Sequence, residues 1–218
     1  MIGLGEGELV EITLRTLAVS GSALMIALGI GLPIGIFLGQ RRFSGRAAVV
    51  TGVNAGMGAP PVVVGLLVAL LLWRSGPLGG LGWMYTPWAM VLAQALIALP
   101  MVVGITLAAV AALPEDWMLQ VRTLGVSTGW RGWLLLREIR LGLFAAVIAA
   151  LGGILSEVGA VMMVGGNLRG ETRMLTTAIL MHTQMGDFEA ALGLAAVLFG
   201  LMISLAALLT VVQQSGRS

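Results

Sequence analysis

The chain has 218 residues, 58% of them hydrophobic and 10% charged, with a formal net charge of +2 and a mean hydropathy of +1.02. Soluble domains carry about a quarter charged residues, so this composition describes an all-α integral membrane protein, with one domain over residues 1–218. The absence of lysine and cysteine and the single histidine exclude a P-loop ATPase, lysine-nucleophile chemistry, disulfides, iron–sulfur clusters and a histidine-built metal site, and so small a net charge gives no case for nucleic acid.

A membrane-crossing helix needs about 20 mainly apolar residues. The first such run covers about residues 12–39. Glu6, Glu8 and Glu11 precede it, where a secretory signal would carry positive charge. Glu8, Glu11 and Arg15 fall at helical spacing, and Glu11 with Arg15 makes a favourable i,i+4 pair. A solvated helix end extending beyond the bilayer is expected there.

The second run covers about residues 47–73 and contains "NAGMGAPPVVVGLL" from Asn54 to Leu67. Pro60 and Pro61 remove backbone hydrogen bonds mid-span and predict a kink. The kink serves either helix packing or the wall of a polar pathway; Pro33 and Pro100 have similar surroundings. The third run covers about residues 86–112. Thirty-two glycines in the chain suit close helix approach in a membrane.

The connection over residues 113–140 is too long for a turn. "LPEDWMLQVRTLG" places Glu115 and Asp116 just after a proline, as at a helix N-terminus. Gly125 interrupts, "STGWRG" bends the chain, and "WLLLREIR" resumes a helix. Trp130 and Trp133 suit a membrane interface.

The fourth run covers about residues 141–164 and holds Glu157, about 24 Å along a helix from Leu141. A carboxylate inside a span costs ~2.5–3.5 kcal/mol and marks a functional candidate. The expected roles are a hydrogen bond to a neighbouring helix, a protonated carboxyl tied to backbone, or a gate. The next connection carries Asn167, Arg169, Glu171 and Arg173. Arginine suits oxyanion recognition, while Glu171 is placed to neutralise both arginines; surface pairing, docking of a partner and anion guidance all remain open. Thr176 and Thr177 either offer hydroxyls to a passing solute or bond back to their own helix. His182 and Asp187 precede the fifth run, about residues 188–212, and receive no chemical role.

Eight arginines (Arg41, Arg42, Arg46, Arg122, Arg131, Arg137, Arg140 and Arg217) fall on one side of these five spans, against Arg15, Arg74, Arg169 and Arg173 on the other. The positive-inside rule then puts the N-terminus outside and the C-terminus in the cytoplasm.

Two stretches resemble a known family. "RTLGVS" around Gly125 is similar to the glycine-centred cytoplasmic loop of ABC importer permeases, although the Glu-Ala-Ala positions of that motif fall on Leu119, Gln120 and Val121 and its Leu-Pro ending on Arg137 and Glu138. "LGGILSEVGAVMMVGGNLRGETRMLTTAI", Leu151 to Ile179, resembles oxyanion permeases of the molybdate and tungstate type. "GAPPVVVGLLVALLLWRSGPLG" and "TPWAMVLAQALIALPMVV" look like the tungstate branch.

The resemblance implies a type I importer permease working as a homodimer in the cell (inner or plasma) membrane. It implies cytoplasmic ATPase subunits that bind ATP and Mg, an extracytoplasmic oxyanion-binding protein, and no cofactor in this chain. It implies tungstate as cargo, with molybdate second and sulfate as the alternative. Arg122, Gly125, Val126, Ser127, Trp130 and Arg131 would meet the ATPase. Glu157, Asn167, Thr176 and Thr177 are the pathway or gate candidates, and Arg169 and Arg173 the docking or guidance candidates. A membrane enzyme lacks a reactive constellation here, a passive channel gives no reason for the long connection, and the five spans do not divide into the paired halves typical of secondary carriers.

Overall fold

The computed structural model describes residues 6–114, 116–123, 125 and 127–215. The described residues are helical, without a strand. Three helices are long and apolar enough to cross a membrane: α1 (Glu6–Gln40), α4 (Pro87–Ala111) and α10 (Phe188–Ser215). Two bent pairs bring the total to five spans if each pair is counted as one. The first is α2 (Arg46–Met57) with α3 (Pro61–Leu72), and the second is α6 (Thr128–Glu138) with α7 (Arg140–Leu155). Three short α-helices, α5 (Trp117–Thr123), α8 (Gly159–Gly165) and α9 (Leu175–Gln184), and a 3-10 turn at Gly79–Leu81 complete the described residues.

Helices α1 and α4 form the spine. Gly31, Gly35 and Gly39 lie against Val102, Thr106 and Val110 in that order. The four-residue spacing matches on both sides, so the two helices run parallel with backbones in close approach. A Cβ at Gly35 would stand 2.7 Å from Thr106 Cβ and 2.8 Å from the Val103 carbonyl oxygen. Both helices pass through their prolines, Pro33 and Pro100, without interruption. Helix α7 runs antiparallel to α4, with Gly142 against Ala109 and Gly153 near Met101. The main core joins Val19, Ala23 and Ala27 of α1 to Ala93, Ala98 and Val102 of α4, with Val68, Ile154 and Val161 closing it from α3, α7 and α8.

The parallel spine puts residues 40 and 111 at one end of the bundle, together with α5 and α6. Ile12, Leu175, Ala178 and Leu194 form a second core at the opposite end, where α9 and the start of α10 pack on α1. The rest of α10 turns outward; none of its most apolar 18-residue stretch is buried. An unshielded apolar helix of this length has lipid or another subunit as its solvent.

Two expected spans are corrected. The kink at Pro60 and Pro61 is a full break, with α2 and α3 meeting at 103°. Pro61 starts a new helix at its first position, where its missing N–H costs nothing. The fourth run is not continuous over 141–164: α7 ends at Leu155, and α8 starts again at Gly159. Glycines at 152 and 153, followed by Ser156, weaken the helix there. In addition, the segment between the fourth and fifth spans folds into α9, which the apolar pattern did not distinguish from loop.

Candidate functional site

At the arginine-rich end, α5 and α6 form the helix–break–helix expected of residues 113–140. Gly125 takes φ +66°, the left-handed region that glycine enters without strain. Ser127 occupies the N-cap of α6, its carbonyl accepting the Arg131 N–H at 3.0 Å while its side chain makes no cap bond. The expected bend over "STGWRG" is corrected: Thr128 onward is already helix, because one left-handed residue reverses the chain in fewer residues than the motif contains. A second turn of direction, 65°, comes at Ile139 between α6 and α7.

The inner face of this hairpin is bolted to the spine. Leu135 and Ile139 are buried with Val110 of α4, and Ile36, Leu113, Trp117 and Leu143 pack around them. The outer face is open. Trp130 and Trp133 are 59% and 49% exposed, meet edge-on with centroids 5.2 Å apart, and line a concavity of about 250 Å³ with Gly129. The Arg137 guanidinium lies 5.4 Å from the Trp133 ring centre, a cation–π contact. Gly125, Ser127, Trp130 and Arg131 thus lie at the turn or in the first helical turn after it. Val126 and the side chain of Arg122 lie outside the described residues, as does Glu115.

At the opposite end, the arginines of the 167–173 segment do not pair with Glu171. Arg169 and Arg173 both bond to Glu8, at 2.6 and 3.2 Å. Arg15, paired with Glu11 as its spacing suggested, also donates to the carbonyls of Gly170 and Arg173 at 2.7 and 3.3 Å. The Leu175 N–H donates to the Thr16 hydroxyl at 3.0 Å. The start of α1 is therefore not a solvated end: the Glu8 side chain is 13% exposed and spans two guanidiniums. Glu171 is exposed. Asn167 follows Gly166 in the left-handed region with φ +53°, a conformation asparagine tolerates. The hydroxyl of Thr172 holds this turn closed, accepting from the Leu168 N–H and donating to the Gly165 carbonyl.

Between these ends the two broken spans meet at their breaks. A Cβ at Gly159 would lie 2.6 Å from Val62 Cγ2, and one at Gly65 would lie 2.5 Å from Ala160 Cα. Glu157 sits in the second break and is 9% exposed. Its Oε1 accepts the Ala160 N–H at 2.8 Å, so the carboxylate, one residue before the N-cap Val158, satisfies an open N–H in the first turn of α8. The Ile154 carbonyl, freed at the end of α7, accepts from the Glu157 N–H at 3.3 Å and from Gln94 Nε2 of α4 at 3.1 Å. Thr176 bonds across to the Glu157 carbonyl at 3.2 Å rather than to its own helix. Thr177 does stay local: its hydroxyl accepts the Met174 N–H at 2.9 Å. Glu157, Thr176 and Thr177 are all buried and joined to backbone, which makes them a support for the break rather than open ligands. His182 Nδ1 lies 3.0 Å from Asp187 Oδ2 across the α9–α10 turn.

Sequence reasoning missed Glu8 and Gln94. Gln94 had a signal, an amide inside an otherwise apolar run; Glu8 had none, since its partners lie about 160 residues away.

The sequence was then compared with known proteins. The family model for binding-protein-dependent transport system inner membrane components matches residues 31–216. A probable anion ABC transporter permease protein of Haloferax volcanii is 41% identical over 216 residues, covering 95% of this chain and 93% of the relative. The tungstate uptake system permease protein of Peptoclostridium acidaminophilum is 38% identical over 201 residues, 92% of this chain and 87% of the relative. Its counterpart in Campylobacter jejuni is 34% identical over 146 residues, 67% of this chain and 61% of the relative.

Proposed function

The chain belongs to the inner membrane components of binding-protein-dependent transport systems, and from that membership we propose that it forms the pathway of an ATP-driven importer whose cargo is tungstate. As a permease of this family it is a transport subunit and not an enzyme; ATP hydrolysis belongs to a separate partner. The observation that carries the cargo assignment is the similarity to anion and tungstate permeases along nine-tenths of the chain. Molybdate is the second reading, because it is a tetrahedral dianion of nearly the same size, and sulfate is the third.

In this reading the α5–α6 hairpin receives the ATPase subunits, which bind ATP and Mg. Its buried inner face and its exposed Trp130 and Trp133 support that role: one side holds the spine, the other presents an apolar knob to a partner. The 167–173 segment, with Arg169 74% exposed at its side chain, receives the extracytoplasmic binding protein. The N-terminus lies outside, the C-terminus lies in the cytoplasm, and two copies of the permease pair in the inner membrane.

The test is uptake by proteoliposomes containing the permease, its ATPase and its binding protein. Tungstate uptake that requires both ATP and the binding protein supports the reading. Uptake of sulfate but not of tungstate overturns the cargo, and nucleotide-independent flux by the permease alone overturns the mechanism.

A further inference from the structure

Thr51 and Asn54 lie one turn apart on α2, and both are exposed. The opposite side of α2 rests on α4, where Gly56 meets Pro100 and Val53 and Met57 meet Gly104. At about 100° per residue, Thr51 and Asn54 project away from that contact, with Ala47, Ala55 and Gly58 beside them.

Both side chains are uncommitted. Five other helix hydroxyls bond to the carbonyl one turn back, Thr13 to Leu9, Thr16 to Ile12, Thr183 to Ile179, Ser204 to Gly200 and Thr210 to Ala206, whereas the unpartnered hydroxyls of Ser20 and Thr106 are sealed inside the bundle. Among the described residues neither the Thr51 hydroxyl nor the Asn54 side-chain amide makes a hydrogen bond, although the backbone of both is in the helix. Asn54 lies about 12 Å along α2 from Arg46, within the depth of the bilayer. An amide with no partner is costly in hydrocarbon, so a lipid-facing position is disfavoured.

The chain break beside them carries the same message. Gly58 and Pro60 are exposed at the irregular α2–α3 junction. Non-helical backbone at membrane depth persists only where protein covers it or water reaches it. Two independent features on one side of α2, free polar side chains and open irregular backbone, thus indicate water there.

The charge pattern selects the sign of the solute. No carboxylate occurs between Glu11 and Glu115, so nothing on α2, α3 or α4 repels an anion. A threonine hydroxyl and an asparagine amide are neutral donors. Such donors hold an oxyanion weakly enough to release it, as a conducting path requires.

We propose that Thr51 and Asn54 line the translocation pathway and donate hydrogen bonds to the passing oxyanion, an assignment that rests on the import reading above. The chain has no cysteine, so Thr51→Cys, Asn54→Cys and Leu208→Cys each create a single thiol. The complete complex, with ATPase and binding protein in proteoliposomes, is treated with a membrane-impermeant thiosulfonate reagent bearing a sulfonate. The expected result is modification at positions 51 and 54 with at least a ten-fold loss of uptake, and no modification at Leu208→Cys on the outward face of α10. Inert thiols at 51 and 54, disulfide formation between two copies at those positions, or modification with undiminished uptake each overturn the proposal. A second arm guards against misfolding: Asn54→Asp should cut uptake at least ten-fold with ATPase co-purification unchanged, and normal uptake by Asn54→Asp overturns it. Modification is scored without transport, so a wild-type complex that imports no oxyanion would defeat the import reading while labelling still decides whether this face is wet.

Discussion

Glu8 and Arg173 are separated by 165 positions in the chain and by 3.2 Å in space. Their contact, with the Arg169 bond to the same carboxylate, fastens the first helix to the segment that precedes α9. Loss of one partner in a shielded ion pair leaves the other without compensation and costs more than the pair itself contributes.

Glu8→Ala should therefore lower the stability of the complex by about 1–3 kcal/mol, the cost of leaving the shielded Arg173 without its acceptor, while the exposed Arg169 adds little. It should also raise hydrogen exchange over residues 166–174, whereas Glu171→Ala should do neither. Exchange measured by mass spectrometry on the detergent-solubilised complex distinguishes the two. Equal behaviour of the two variants would show that the carboxylate at position 8 does not hold the segment.

At Glu157 the structure separates charge from hydrogen bonding. Glu157→Gln keeps an oxygen for the Ala160 N–H and should transport within about two-fold of wild type. Glu157→Leu loses the acceptor for that N–H in the first turn of α8, at a cost of about 0.5–2 kcal/mol, and should lower both the melting temperature and uptake. A Gln variant as inactive as the Leu variant would assign a role to the negative charge.

Gly35 and Gly31 differ in what surrounds them. A methyl at Gly35 meets the backbone oxygen of Val103 and the Thr106 Cβ, neither of which can rotate away. At Gly31 the nearest atom is Cγ1 of Val102, a side-chain methyl. Gly35→Ala should cost about 1–3 kcal/mol through overpacking, and Gly31→Ala less. Thermal unfolding of the two variants in the same detergent provides the comparison, and a reversed order would contradict the parallel packing of α1 on α4.

In the proposed docking of the ATPase, the turn at Gly125 and the aromatic pair beside it should contribute separately. Gly125→Val forces a β-branched residue into the left-handed region, at a cost of about 1–2 kcal/mol, and should weaken ATPase co-purification by distorting the hairpin. Trp130→Ala leaves the backbone alone and removes exposed apolar area, so it should weaken co-purification without changing the stability of the permease. Retention of full assembly by both variants would move the ATPase contact elsewhere.

Much of this architecture was legible in the sequence because its cause is local. The spans near 12–39, 86–112 and 188–212 are continuous apolar runs, and α1, α4 and α10 match them within a few residues, apart from the start of α1. The reversal at Gly125 announced itself through one residue type. The breaks were half-legible: Pro60 and Pro61 gave the position but not the 103° angle, which depends on Val62 and Gly65 meeting α8. The stop at Leu155 was hidden because glycine, leucine and isoleucine read as apolar whether or not the helix continues. Glu8 was illegible because a carboxylate at a helix end looks the same whether water or a distant arginine faces it. Thr176 looked local for the same reason, and its partner is a carbonyl that only the break at Glu157 exposes.

The glycine ladder on α1 also decides which part of the machine stands still. Sliding α1 along α4 by half the glycine spacing, about 3 Å, would drive Gly31, Gly35 and Gly39 out of their recesses at once and press Thr106 against helix backbone. The pair behaves as a stator. In the import reading proposed above, any change in the pathway must then be taken up by the jointed spans, α2 with α3 and α7 with α8, whose joints face each other at Val62 and Gly159.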